Sequence, residues 1–296
     1  MSKEQRAAVD AIMRQPRPAP RTVEEMRAGY AAAQARMLVP QGIHTSETTL
    51  GERRALVVEP VDPPRRGTVL YFHGGAWSLG SPETSLALTA GLVTRLGMRA
   101  LSPDYRLAPE NPFPAAVDDG VNAYRALLDG GEDPARIALV GDSAGGSLAV
   151  TTALRAGEHG LPAPAAVVTF SAALDLTLSG ASVDAKAGID PIFTRELLGP
   201  AVDVYRAGRD VRHPHLSPAL SADLTGFPAL LLQVGANEVL LDDSTRMAAR
   251  AVAAGVDVVL DVTADVPHVF QAFAGVLDEA DQALDRAALF LSQHLG

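Results

Sequence analysis

From about residue 44 onward, short β-rich runs alternate with longer helical patterns, and this alternation limits the chain to few architectures. The runs are Arg54–Glu59, Thr68–Phe72, Met98–Ser102, Arg136–Gly141, Ala165–Phe170, Ala229–Val234 and Val256–Val262. Several are continuously apolar, as expected of central strands covered on both faces. Helical periodicity fills Ser85–Leu96, Ala115–Leu128, Ala144–Ala156, Ser244–Ala254 and Leu277–His294. Such alternation implies an α/β fold with a mostly parallel, doubly wound sheet flanked by helices. Ligands on such sheets bind at the carboxyl ends of the strands, so loops that follow strands are where chemistry is sought.

Two segments break the pattern. Residues 1 to about 40 are helical in character around a Pro-rich break, PRPAP at 16–20. Residues 175 to about 215 interrupt the run between two strands. Both read as pieces of a helical cap over the strand ends, with surface decoration as the alternative. Without a linker, repeat or low-complexity tract, the 296 residues read as one domain over 1–296.

The formal charge of -10 argues against nucleic-acid and anionic-lipid partners. With no cysteine, the chain can form no disulfide, thiolate metal site or cysteine nucleophile. Met1–Gln15 lacks the apolar core of a signal peptide, and no run is long enough to span a bilayer, so a cytoplasmic protein is expected.

Gly141-Asp142-Ser143-Ala144-Gly145 matches G-x-S-x-G between an apolar strand and a helix, the context that this nucleophile motif needs. The serine sits on a strained turn that demands small neighbours, and the helix aims its N-terminus at the site. An ordinary Gly-rich turn is the alternative. Two strands earlier, His73-Gly74-Gly75-Ala76-Trp77 follows TVLYF. Consecutive small residues let backbone N–H groups turn toward a substrate, and the expected oxyanion donors are the amides of Gly75, Ala76 and Ala144. His73 reads as a structural side chain that fixes this loop.

These motifs, with Asp104-Tyr105-Arg106-Leu107-Ala108-Pro109-Glu110 between them, resemble the bacterial hormone-sensitive-lipase family of esterases, α/β-hydrolases, over about residue 44 to the C-terminus. The resemblance implies hydrolysis of small, short-acyl esters without metal or organic cofactor, and pairing of two copies through the last strand and its neighbouring helix. The family's third glycine is Ala76 here, and the glycine after its catalytic histidine is Val269. Read from the residues alone, the prolines after Asp104 forbid helix, and Asp104 with Arg106 reads as a local ion pair or backbone anchor.

In this fold the chain order is nucleophile, acid, histidine. His268 follows the last strand and precedes Phe270 and Phe273. His44 begins a strand, His159 ends a helix, and His294 lies in the tail. His213 and His215 form an H-x-H without an apparent third ligand, so no metal is expected. The family usually carries Asp where this chain has Glu238, and a carboxylate is needed there to orient the imidazole. Asp242 and Asp243 compete for that role but read as capping or first-turn residues of the next helix. Trp77, Asp142 and Val269 are expected at the substrate pocket. The same machinery would serve amide deacetylation or lactone opening, and a small-molecule receptor of this fold would keep the pocket but lack the histidine.

Overall fold

The computed structural model describes residues 2–15 and 22–296, so the PRPAP break lies outside the described residues. In chain order the first elements are α1 (Lys3–Met13), α2 (Val23–Gln34), β1 (Ile43–Leu50), β2 (Arg53–Pro60) and β3 (Arg65–Phe72). There follow α3 (Leu86–Leu96), β4 (Met98–Pro103), α4 (Ala115–Asp129), β5 (Ile137–Asp142) and α5 (Ala144–Glu158). Next come β6 (Ala166–Phe170), α6 (Ala181–Ala185), α7 (Arg195–Arg206) and α8 (Pro218–Ser221). The chain closes with β7 (Ala229–Gly235), α9 (Leu241–Ala253), β8 (Val258–Thr263) and α10 (Asp278–His294).

Eight strands form one sheet in the order β1-β2-β4-β3-β5-β6-β7-β8. Pairing is parallel from β4 through β8, whereas β2 meets both β1 and β4 antiparallel. Side chains alternate between the two faces. Leu70, Phe72, Leu139 and Leu232 join a core with α4, α5 and α9. Val69, Tyr71, Val140 and Val168 join a second core with α3 and α10. Covering both faces explains why the central strands read as unbroken apolar runs.

Strand β1 is the element that apolar patterning does not reveal. IHTSETTL is almost wholly exposed, and eight backbone pairs with β2 across a Gly51–Glu52 turn hold it in place. Its strand character comes from hydrogen bonding rather than burial.

Helix α1 is tied to α10. Val9 enters a small cluster with Val266, Phe270, Phe273 and Leu277, and Arg6 meets the buried Glu279 at 2.9 Å. Removing one partner of a buried pair of this kind costs about 3–5 kcal/mol. The stretch after β6 is clamped to α9 by Arg246, which reaches Asp175 at 2.7 Å and Ser179 at 2.8 Å.

Asp104 and Arg106 do not pair with each other. Arg106 grips Asp119 of α4 at 2.7 Å, while Asp104 meets Arg54 of β2 at 3.3 Å. The carboxylate and the guanidinium are each satisfied by a partner on a different element.

Candidate active site

Ser143 stands between β5 and α5 with φ 54° and ψ -120°. A non-glycine residue in such a conformation stores about 1–3 kcal/mol and persists only where its surroundings enforce it. Here the Ser143 N–H donates to the Phe170 carbonyl at 2.8 Å, and its own carbonyl accepts from Ser147 N–H at 3.1 Å. A Cβ at position 145 would collide with the Phe72 carbonyl oxygen, so α5 can approach β3 this closely only with Gly145. Ser143 itself is half-buried, with its neighbours on either side buried.

The loop after β3 is held in a run of positive φ: 124° at Gly75, 51° at Ala76 and 56° at Trp77. Gly75 is obligatory there, because a Cβ would also strike the Leu79 carbonyl. Among the described residues, the amides of Gly75, Ala76 and Ala144 have no hydrogen-bond acceptor within the protein. Three open donors beside a strained serine are suited to receive an oxyanion.

His268 and Glu238 meet at 2.8 Å, from Nδ1 to Oε2, with the imidazole 5% and the carboxylate 0% exposed. A carboxylate only accepts, so Nδ1 carries the proton and Nε2 is left free as a base. Glu238 Oε1 accepts from Ser171 Oγ at 2.7 Å and from Gly235 N–H at 2.5 Å. Burial alone would lower the His268 pKa. The hydrogen bond and charge of Glu238, helped by the charges of Asp190 and Asp142, outweigh it and raise the value above the ordinary one. The extra methylene of Glu is thus accommodated with both carboxylate oxygens engaged.

The competing carboxylates face elsewhere. Asp243 Oδ2 accepts from the N–H groups of Leu174 and Asp175 at 2.7 and 2.8 Å. Burial pushes its carboxyl up to about 8, against the pull of those two donors. Asp242 Oδ2 accepts from Ser182 N–H at 3.0 Å. Both lie in the first turn of α9, and both fasten the segment after β6 instead of an imidazole.

A family model of the alpha/beta hydrolase fold matches residues 69–272. An acetyl-hydrolase of Streptomyces hygroscopicus is 40% identical over 277 residues, 93% of this chain and 91% of that protein. A crystal structure of an esterase from the bacterial hormone-sensitive lipase family superposes with TM-score 0.94 at 38% identity, covering 100% of both chains. A hormone-sensitive lipase from a metagenome library gives TM-score 0.95 at 40% identity, covering 100% of this chain and 99% of that one. The chain belongs to the hormone-sensitive-lipase family of α/β-hydrolases.

In this α/β-hydrolase, several residues do work that the motifs do not announce. Tyr105 stacks on His73 at 4.1 Å and donates to the His73 carbonyl at 2.7 Å, and Ala108 N–H donates to the Trp77 carbonyl at 2.9 Å. The Asp104–Glu110 stretch is therefore a scaffold of the His73–Trp77 loop. Burial holds His73 neutral, with its pKa lowered to about 4. Asp142, expected at the substrate pocket, is 3% exposed and accepts from Tyr71 at 2.8 Å and Ser85 at 3.1 Å. It braces β3 and α3 rather than facing a substrate. Burial raises its carboxyl pKa despite those donors.

Trp77 is buried and stacks on Tyr205 of α7 at 4.3 Å and 6°, a contact of about 0.5–1.5 kcal/mol beyond area burial. It joins the loop after β3 to α7. Val269 adopts left-handed φ 51°, costly for a β-branched residue, and its N–H donates to Ser171 Oγ at 2.9 Å. Its partly buried side chain packs on the core shared by α3 and α10.

Ser171 is the principal omission of sequence reasoning. It bridges Glu238 to the backbone after His268, and only its place directly after an apolar strand could have drawn attention. His215 pairs with Glu158 at 2.9 Å and His213 packs on Phe113; among the described residues no three metal-ligating side chains cluster.

Proposed function

We propose that this protein hydrolyses small carboxylic esters through Ser143, His268 and Glu238. The observation that carries the reading is what gathers in the loops at the carboxyl ends of the parallel strands: a fully bonded Glu238–His268 pair after β7 and β8, and a strained serine and three open amides after β5 and β3. His268 Nε2 takes the proton of Ser143 Oγ as the oxygen attacks the acyl carbonyl. The resulting oxyanion is held by the amides of Gly75, Ala76 and Ala144. Collapse breaks the ester C–O bond, and the imidazolium returns its proton to the leaving alcohol. Water, activated by the same imidazole, then attacks the acyl-enzyme and frees Ser143.

The elements preceding β1 and the segment 175–215 form a cap, with Trp77 on Tyr205 and Phe193 against His268 holding it to the loops at the strand ends. The family likeness favours acyl chains of two to six carbons, and no helix among the described residues is long and apolar enough to cross a membrane. Removal of an acetyl group from an amide nitrogen, or opening of a lactone, is the second reading; one relative is named an acetyl-hydrolase, which fits an acetyl group on oxygen or nitrogen alike. A receptor role fits poorly with a buried Glu238–His268 pair, which binding alone does not require. A panel of acyl esters, lactones and acetylated amides tests the proposal. Turnover should be greatest on two- to six-carbon esters and fall steeply beyond about eight carbons; no ester turnover at all overturns it.

Two copies pair through β8. It is the sheet edge that exposes apolar side chains, Val259 at 44% and Val262 at 44%, whereas the opposite edge, β1, is polar. Light scattering should give twice the 30.9 kDa chain mass, and a clean monomer at micromolar concentration dismisses the pairing.

A further inference from the structure

We propose that Asp190 is a positioning residue for hydrolysis, its buried carboxylate locking the acid loop and the cap together around the imidazole of His268. The inference rests on the Ser143–His268–Glu238 reading above. Asp190 lies between α6 and α7 and is 4% exposed. Its Oδ1 accepts from the N–H groups of Ile192 and Phe193 at 2.8 and 3.0 Å, folding the chain into a tight turn. That turn sets the Phe193 ring edge-on to His268, with centroids 4.8 Å apart at 83°. Its Oδ2 crosses to the acid loop and accepts from Val239 N–H at 3.0 Å, one residue after Glu238. A single carboxylate thus fixes both the ring that meets the imidazole and the backbone beside the residue that orients it.

The position requires a carboxylate. Both oxygens accept from backbone N–H groups, and an amide offers one acceptor and one donor, so asparagine must leave one side facing a like donor. Charge adds to geometry. Glu238 on the acid loop, Asp190 on the cap segment and Asp142 at the end of β5 all act on His268 and favour its protonated form. Arg14 of α1 faces Asp190 and holds the carbonyls of Gly188 and Ile189 at 3.3 and 2.6 Å, offsetting part of that charge. During acyl transfer His268 becomes a cation, and a fixed negative charge nearby stabilises it in the transition state.

The test compares Asp190→Asn with Asp184→Asn, an exposed carboxylate of the same segment paired with Arg195. For Asp190→Asn, kcat on a short-acyl ester should fall at least about tenfold with KM changed less than about threefold. The acid limb of kcat/KM should move to lower pH, because losing the charge lowers the His268 pKa. Asp184→Asn should stay within about twofold of the parent. A parental kcat for Asp190→Asn overturns the proposal, as does a fall in kcat that tracks lost thermal stability with the acid limb unmoved. Should Asp190→Asn not fold, Phe193→Leu reads the same contact, and a parental kcat there is equally fatal. Glu238→Gln, assayed alongside, separates the two claims. If it is inactive while Asp190→Asn is parental, only Asp190 is misassigned; if it is fully active, the triad and this inference fall together.

Discussion

The two sides of the candidate site are built on opposite principles. On the acid–base side every polar atom of Glu238 is engaged, and Ser171 ties the carboxylate to the backbone beyond His268. On the other side three successive backbone positions, Gly75 to Trp77, have positive φ, and the amides of Gly75, Ala76 and Ala144 are left open. The first arrangement fixes an orientation before substrate arrives. The second leaves donors unspent, as stabilising a charge that exists only in a transition state would require. The strain of the second side is tolerable because Tyr105, Trp77 and Asp142 brace it from behind.

Breaking the comparison at its centre has the largest effect. Ser143→Ala should abolish ester hydrolysis, to below about 10⁻⁴ of the parental kcat, while the melting temperature stays close to the parent's. Residual activity of a few per cent means that another nucleophile operates. On the bonded side, Glu238→Gln should lower kcat about 10³–10⁴-fold, since the amide can present a donor to Nδ1 and upset the tautomer. Asp242→Asn and Asp243→Asn should cost at most about tenfold in rate, because both carboxylates hold the segment after β6. If either aspartate variant is inactive while Glu238→Gln is not, the acid has been misassigned.

On the open side, Gly75→Ala should lower kcat about 100-fold. The new Cβ meets the Leu79 carbonyl, and the loop must shift its donors away from the oxyanion position. A parental rate would place the oxyanion donors elsewhere.

The smallest effect concerns stability and sharpens the role of His73. Its folded pKa of about 4 lies below the ordinary value of 6.5, so the unfolded chain takes up a proton first as pH falls. Stability from this group is complete above about pH 6.5 and is lost as pH falls toward 4. Urea titrations should show the parent losing about 2 kcal/mol more than His73→Gln between pH 7.5 and 5.0. Identical losses would contradict a buried, neutral His73.

The sheet was legible because burial on both faces writes continuous apolar runs, and the tight turns around Ser143 and after β3 because close packing at Gly145 and Gly75 leaves glycine no substitute. What stayed hidden depends on contacts between distant segments. β1 has no apolar face, so only pairing with β2 defines it. Asp142 stands beside Ser143 in sequence, yet its carboxylate turns back toward Tyr71, and adjacency suggested a pocket role that packing denies. Ser171 and Asp190 carry no motif; their bonds to Glu238 and to Val239 form only once β6, the segment 175–215 and the loop after β7 converge. Asp104 and Arg106 looked like partners because they are near in sequence, whereas each is satisfied by a different strand or helix.

The central claim is that Ser143 is a nucleophile activated by the bonded His268–Glu238 pair. Labelling with a fluorophosphonate, read by intact mass and peptide mapping, tests it most directly. The account predicts one adduct per chain, on Ser143, absent from Ser143→Ala and formed far more slowly in Glu238→Gln than in Asp242→Asn or Asp243→Asn. An unlabelled folded protein, an adduct on another residue, or equal labelling rates across the three carboxylate variants would contradict it.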